Sequence, residues 1–311
     1  MKKFTTIHDI ENLSKTIQEA IALKANPFQY DTLGKHKTLV LLFFNSSLRT
    51  RLSTEKAAKK LGMDVMILNI NNTWNLEFKD GTIMNLQTAE HVKEAAQVIS
   101  QYADIIAVRA FPNLKNKEED ASEYVLKSFM KYATVPIVNM ESATAHPLQA
   151  LTDAITITET ATKKRPKVVL TWAPHPKALP HAVANSFVKT MQALDVDFSI
   201  TNPEGYDLSL DITKNTPISH DQEEALKNAD IVYVKNWSSY NQYGQVLHQD
   251  PNWMITQEKI GSASCMHCLP VRRNVVIEDA VLDSENSIVI QQANNRTFAA
   301  QIVLKTLLEH L

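Results

Sequence analysis

Short β-branched and aliphatic runs alternate with longer stretches of helical spacing along the 311 residues, and the alternation occurs twice. That pattern is the signature of parallel βαβ units. Thr38–Phe44, Val65–Ile70, Ile105–Val108 and Pro136–Val138 read as one series of strands. Segments 50–61, 89–101 and 121–132 between them carry helical spacing of Leu, Ala, Val and Phe. The series restarts with Val168–Thr171, Val196–Ile200, Ile231–Val234 and Ser287–Ile290. The restart predicts an α/β protein of two doubly wound parallel-sheet domains, 1–146 and 147–295. Residues 296–311 are expected to form a helix that packs back on the first domain. A helical pattern over 147–161 would cross between the domains, and Lys163-Lys164-Arg165-Pro166 reads as a solvated interdomain loop. Loops 112–120 and 236–253 are long and polar, so they are either lids or plain surface.

Composition narrows the function classes. A net charge of −2 argues against a surface that tracks phosphates on nucleic acid, which would leave a basic surplus. No apolar run approaches the roughly 18 residues that a membrane span needs. Met1-Lys2-Lys3 begins basic, but polar Thr6-Ile7-His8-Asp9-Ile10-Glu11 follows where a signal peptide would turn apolar. A soluble, cytoplasmic protein is the expectation. The 6 glycines compare with roughly 20 at the usual frequency of about 7%. None are spaced as a dinucleotide turn or a Walker loop, so any phosphate must sit in another kind of cradle.

The ends of the predicted strands supply one. Asn45-Ser46-Ser47-Leu48-Arg49-Thr50-Arg51 lies between the first strand and a helix, where doubly wound sheets bind ligands. A helix N-terminus offers unpaired N–H groups and partial positive charge, Ser47 and Thr50 add hydroxyls, and Arg49 adds a planar fork. On spacing alone, an ordinary Ser/Thr cap followed by solvent-facing arginines fits equally well. Arg109 follows the 105–108 strand, and His146-Pro147-Leu148-Gln149 follows the one at 136–138. A lone histidine is ordinarily a satisfied buried imidazole; the argument rests on the set converging on one small polar ligand.

Cys265-Met266-His267-Cys268-Leu269-Pro270 has the look of a metal or redox motif. Zinc normally takes four ligands and there is no second cysteine pair, while a thioredoxin-type C-x-x-C opens a helix rather than preceding Leu-Pro. The two cysteines read as structural thiols unless one faces the ligand, and they build no disulfide framework.

Ser47-x-Arg49-Thr50, His146-Pro147-x-Gln149 and His267-Cys268-Leu269-Pro270, in this order across the chain, resemble the aspartate/ornithine carbamoyltransferase family. The resemblance is nearest to the branch that carbamoylates N-acylated ornithine. Its pointers are Trp74, Val108-Arg109-Ala110-Phe111, Thr171-Trp172-Ala173-Pro174-His175-Pro176-Lys177, Val234-Lys235-Asn236-Trp237 and Leu269-Pro270-Val271-Arg272-Arg273-Asn274. The S-M-G loop of ordinary ornithine enzymes is not found. The resemblance implies a carbamoyl phosphate domain followed by an N-acylornithine domain. Ser47, the Leu48 backbone, Arg49 and Thr50 would hold the phosphate, and Arg109 would bridge phosphate and carbamoyl oxygen. His146 and Gln149 would hold the carbamoyl group, Cys268 and Leu269 the carbamoyl nitrogen or incoming amine, and Arg296 would close on carbamoyl phosphate. Glu141, His175, Lys235 and Arg272 would hold the acylated ornithine. Arg109, His146 and Cys268 would carry the catalytic stabilisation of charge, with no metal and no cofactor. The family also implies a homotrimer in which Trp74 reaches the neighbouring site, and a knot in the second domain near 174–182.

Two acyl groups divide this branch. Acetyl-using relatives carry a glutamate at the position aligned with Ala89 and a lysine at that of Val276; succinyl-using relatives tend to have proline at the former. A carboxylate there would repel the second carboxylate of a succinyl group, whereas Ala89 leaves room, so N-succinyl-L-ornithine is the expected substrate and N-acetyl-L-ornithine the alternative. Glu90, one residue on, would reverse this reading if the alignment slipped. A catalytically silent, anion-binding regulator is the reading from another class.

Overall fold

The computed structural model describes residues 1–70, 74–247 and 249–311; His248, within the predicted 236–253 loop, lies outside the described residues. The chain forms two compact units. The first comprises 1–113, 118–148 and 296–311, and the second 114–117 and 149–295.

The first unit is built on a parallel sheet of β1 (Thr38–Phe43), β2 (Asp64–Asn69), β5 (Ile105–Arg109) and β6 (Ile137–Glu141), in the order β2-β1-β5-β6. Between β2 and β5 lies a two-stranded parallel pair, β3 (Leu76–Glu77) and β4 (Glu90–His91). The chain runs outward from β1 to β2, then returns to the other side of β1 for β5 and β6. The order therefore reverses between β1 and β5, and a crevice opens beyond their carboxyl ends. β5 and β6 are buried along their whole length, as is β1 after Thr38, which is why these strands read as unbroken aliphatic runs. Fully burying a leucine such as Leu39 or Leu41 contributes about 1.5–3 kcal/mol. The edge strand β2 leaves Met66 and Leu68 exposed.

The second unit repeats the plan with β7 (Lys167–Trp172), β8 (Asp197–Thr201), β9 (Ile218–Ser219), β10 (Ile231–Lys235) and β11 (Ser264–Met266), ordered β11-β10-β7-β8-β9 and parallel throughout. Its reversal falls between β7 and β10. Trp172 and Trp237 are fully buried, and each N–H finds a carbonyl: Trp172 Nε1 donates to Trp237 O at 2.9 Å, Trp237 Nε1 to Tyr206 O at 2.7 Å.

Two sequence expectations fail in detail. Ser287–Ile290 is not a strand: Ser287 makes an isolated bridge with Cys265, and a 20-residue helix, Val289–Leu308, begins at once. Short apolar runs do not distinguish a strand from a first helical turn, and Ile290 is in fact exposed. The edge strand beside β10 is instead the three-residue β11, too short to stand out. The helix expected over 121–132 is two, Lys117–Ser122 and Tyr124–Tyr132, broken at Glu123, whose φ of 52° lies in the left-handed region. Among the described residues no helix is long and apolar enough to cross a membrane.

Candidate active site

In the first unit the candidate residues gather at the β1/β5 reversal. Ser47 caps the helix Leu48–Lys60 from an extended conformation, its Oγ accepting from Thr50 N at 3.3 Å. Its first turn holds no acidic side chain, so Leu48 and Arg49 present backbone N–H groups within the positive potential of the helix start, while the Thr50 N–H is taken by the cap. Thr50 is buried, and its Oγ1 accepts from Arg296 Nη2 at 2.7 Å, which brings Arg296 from the last helix to the start of this one.

Arg109 ends β5 and is buried. Its Nη1 donates to Asn45 O at 2.9 Å and Ser46 O at 2.8 Å, and its Nη2 to Glu141 Oε2 at 3.1 Å. Phe111 lies under the guanidinium at 4.1 Å. Burial pulls its pKa below the ordinary value; Glu141 opposes that shift and the nearby Arg49 charge adds to it. Arginine remains a cation regardless. Arg109 Nε is buried and has no hydrogen-bond partner among the described residues. A donor held in that state suits an incoming oxygen.

His146 Nε2 lies 3.5 Å from the same Glu141 Oε2. Glu141 Oε2 thus lies between Arg109 and His146, hydrogen-bonded to the first and 3.5 Å from the second, at a residue that the family resemblance makes a holder of the acylated substrate. The loop joining Glu141 to His146 is clamped by Glu123, whose Oε1 accepts from Ser142 Oγ at 2.5 Å, Thr144 N at 2.9 Å and Thr144 Oγ1 at 2.6 Å. No sequence signal marked Glu123, because its role depends on the left-handed backbone at that residue. Trp74 is half exposed and donates from Nε1 to Glu90 Oε2 at 2.7 Å; Ala89 beside it is exposed.

In the second unit Gln149 and Cys268 lie close to Asp153, with Leu269 next to Cys268 in the chain. Gln149 Nε2 donates to Asp153 Oδ1 at 2.7 Å. The Cys268 thiol is half-buried, and Leu269 has φ 56°, a conformation that costs a non-glycine residue roughly 1–2 kcal/mol. Cys265, by contrast, is deep in the core, and burial pushes its thiol up to about 12. The buried Tyr233 hydroxyl lies beside Asp153 and Cys268; burial first, then those two groups, hold its pKa well above the ordinary phenol value. Among the described residues no cluster of three or more His, Cys, Asp and Glu could hold a metal ion.

His175, Lys235 and Arg272 form a second group at the β7/β10 reversal. Arg272 Nε donates to His175 Nε2 at 3.1 Å, and His175 Nδ1 lies 2.9 Å from Lys177 O. Nδ1 also lies 3.1 Å from Lys177 N, so the Lys177 backbone faces that side of the ring with both a donor and an acceptor. Burial lowers the His175 pKa, against the Lys177 carbonyl bond, and the charges of Arg272, Lys235 and Lys177 lower it further. Lys235 is buried at the end of β10, its Nζ donating to Asn236 O at 3.0 Å. Arg272, Lys235 and Lys177 thus concentrate positive charge around the His175 imidazole.

Residues 2–159 match the carbamoyl-P binding domain of aspartate/ornithine carbamoyltransferase, and residues 180–307 match its Asp/Orn binding domain. The chain belongs to the aspartate/ornithine carbamoyltransferase family. It is a carbamoyltransferase, and its relatives place it in the N-acylornithine branch. It is 48% identical, over the full length of both chains, to the N-succinylornithine carbamoyltransferase of Bacteroides fragilis. Identity to the N-acetylornithine carbamoyltransferase of Xanthomonas axonopodis pv. citri is 36%, covering 96% of this chain and 94% of the relative. A solved structure of a mutant N-acetyl-L-ornithine transcarbamylase, complexed with carbamyl phosphate and N-succinyl-L-norvaline, superposes with a TM-score of 0.93. That pair shares 35% identity, covering 99% of this chain and all of the other.

Proposed function

We propose that this carbamoyltransferase moves the carbamoyl group of carbamoyl phosphate to the δ-amine of N-succinyl-L-ornithine, giving N-succinyl-L-citrulline and phosphate in arginine biosynthesis. The observation that carries the reading is the division of charge. The first unit offers Arg49, Arg109 and Arg296 around a capped helix start, suited to a phosphate dianion. The second offers Lys235, Arg272 and His175, suited to the carboxylates of an acylated amino acid. In this reading Ser47, Leu48 N, Arg49, Thr50 and Arg296 take the phosphate oxygens, and Arg109 and His146 face the carbamoyl oxygen. Gln149, Cys268 and Leu269 take the carbamoyl nitrogen and the amine. The neutral δ-amine attacks the carbamoyl carbon, the bond to the phosphate oxygen breaks, and the departing phosphate accepts the amine proton. Donors fixed where charge develops, and the pairing of two bound substrates, supply the acceleration without a dedicated base.

The succinyl preference is supported by Ala89 and by what Glu90 does. Glu90 already accepts a hydrogen bond from Trp74, so its carboxylate has a fixed partner, while Ala89 contributes no charge. Val276 is buried in the second unit's core and brings none either. Initial rates of ureido-product formation with ornithine, N-acetyl-L-ornithine and N-succinyl-L-ornithine test the proposal. Turnover confined to the succinyl substrate supports it; preference for the acetyl substrate overturns the acyl assignment, and no turnover of any overturns the whole. Ala89→Glu is expected to lower the succinyl-to-acetyl ratio of kcat/KM at least tenfold; an unchanged ratio contradicts the role given to position 89.

The homotrimer belongs to the same reading. The edge strand β2 and the helix Leu48–Lys60 expose Leu48, Leu52, Met66 and Leu68, an apolar face that a second copy would cover, with Trp74 directed to the neighbouring site. Sedimentation at three times the chain mass supports this, and a monomer contradicts it. The proposed knot draws on the ties of the 174–182 loop to later chain: Ser238 N donates to Leu179 O at 3.0 Å, and His181 Nε2 lies 2.7 Å from Ser238 O.

A further inference from the structure

We propose that Asp153 is a positioning residue that locks the Gln149 side chain and the Cys268-Leu269 loop into one geometry through a single buried carboxylate oxygen. The inference rests on the carbamoyltransferase reading and adds a residue to it. Asp153 is 0% exposed, four residues after Gln149 on the helix Pro147–Thr160. Its Oδ1 accepts from Gln149 Nε2 at 2.7 Å and from Gln292 Nε2, also at 2.7 Å. Gln292 is itself 1% exposed, and its Oε1 accepts from His267 N at 2.9 Å. His267 Nδ1 in turn accepts from Leu269 N at 2.9 Å. An unbroken chain of hydrogen bonds therefore runs from Asp153 to the backbone on both sides of Cys268.

Charge gives this arrangement its direction. A carboxylate accepts and does not donate, so both glutamines must turn their NH₂ groups toward Asp153. Gln292 is then left with only its oxygen to offer His267 N, and the loop is held in a single register. The same orientation fixes which end of Gln149 is committed to the protein. Buried polar networks of this kind specify one arrangement when every member is satisfied, and fail together when one is removed. Asp153 touches neither substrate in this scheme; it acts through Gln149 and through the 267–269 loop.

The test uses the full-length protein and two readouts. The first is hydrogen exchange at the His267 and Leu269 amides, which needs no turnover. Asp153→Ala is expected to speed exchange there at least tenfold while leaving the β1 and β5 amides unchanged. The second is a kinetic split. Asp153→Ala is expected to lower kcat about 30-fold or more with the carbamoyl phosphate KM within about threefold, because the phosphate holders lie in the first unit. Asp153→Asn keeps an acceptor oxygen and is expected to recover most of the loss. Should Asp153→Ala fail to fold, Gln292→Ala severs only the loop arm and is expected to show the same local exchange with a smaller fall in kcat. Unchanged exchange at His267 and Leu269 in the soluble variants overturns the inference, as does a KM effect without a kcat effect. A parent protein that turns over none of the substrates overturns the carbamoyltransferase reading instead, and leaves the exchange result to decide the role of Asp153.

Discussion

Replacing Arg109 with methionine is expected to lower kcat/KM for carbamoyl phosphate by about 10³-fold. The guanidinium carries three tasks at once. It braces the Asn45 and Ser46 carbonyls just before the phosphate-facing helix start, and it neutralises the buried Glu141 carboxylate. Its buried Nε, which has no partner among the described residues, is in the proposed reading the donor to a substrate oxygen. Removing one preorganised donor from a developing oxyanion typically costs 10²–10³ in rate, and the loss of bracing adds to it. Arg109→Lys should fare little better, since one ammonium cannot reach two carbonyls and a carboxylate in a fixed fork. The substitution also leaves Glu141 uncompensated, and stranding a buried charge costs about 3–5 kcal/mol. Thermal melts should therefore show a destabilised Arg109→Met protein, with stability but not rate restored by adding Glu141→Gln. Initial rates against carbamoyl phosphate, paired with those melts, check both halves. A loss of less than tenfold in kcat/KM would remove Arg109 from the reacting centre.

Arg296→Leu is expected to act on binding more than on chemistry. Arg296 is buried and fixed by Thr50 Oγ1, so its charge is already ordered at the helix start before ligand arrives. A charge-assisted hydrogen bond to an anion is worth about 1.5–3 kcal/mol, which converts to roughly a 10- to 100-fold rise in the carbamoyl phosphate KM. Phosphate as a product inhibitor should weaken in parallel, because the same oxygens are held. A normal KM with a collapsed kcat would mean that Arg296 acts on the carbamoyl group rather than the phosphate.

Much of this arrangement was legible in the sequence because parallel strands buried on both faces are written as continuous aliphatic runs. Functional residues in such sheets fall immediately after those runs. Ser47 and Arg109 are legible that way, whereas Lys235 and His175 are legible only through the family resemblance; the order reversals between β1 and β5 and between β7 and β10 explain why those ends matter. Where the local code was ambiguous the reading failed: Ile288-Val289-Ile290 carries the composition of a strand but opens the long helix, and β11 has only three residues. Asp153 had a usable signal, four residues beyond Gln149 on one helix face, which is the spacing at which side chains meet. Glu123 and Gln292 had none. Glu123 acts from a left-handed backbone conformation that no local pattern announces, and Gln292 meets Asp153 from 139 residues away. Glu141 was found, but its ties to Arg109 and His146 appear only once β5 and β6 are paired.

One competition experiment tests the central claim most directly. The protein is incubated with carbamoyl phosphate and an equimolar mixture of N-succinyl-L-ornithine and N-acetyl-L-ornithine, and the two ureido products are quantified by mass spectrometry at low conversion. Their ratio equals the ratio of kcat/KM for the two acceptors. The account predicts N-succinyl-L-citrulline in large excess, with one phosphate released per product. An excess of N-acetyl-L-citrulline would contradict the acyl assignment at Ala89, and phosphate release with neither product would contradict carbamoyl transfer to an acylated ornithine.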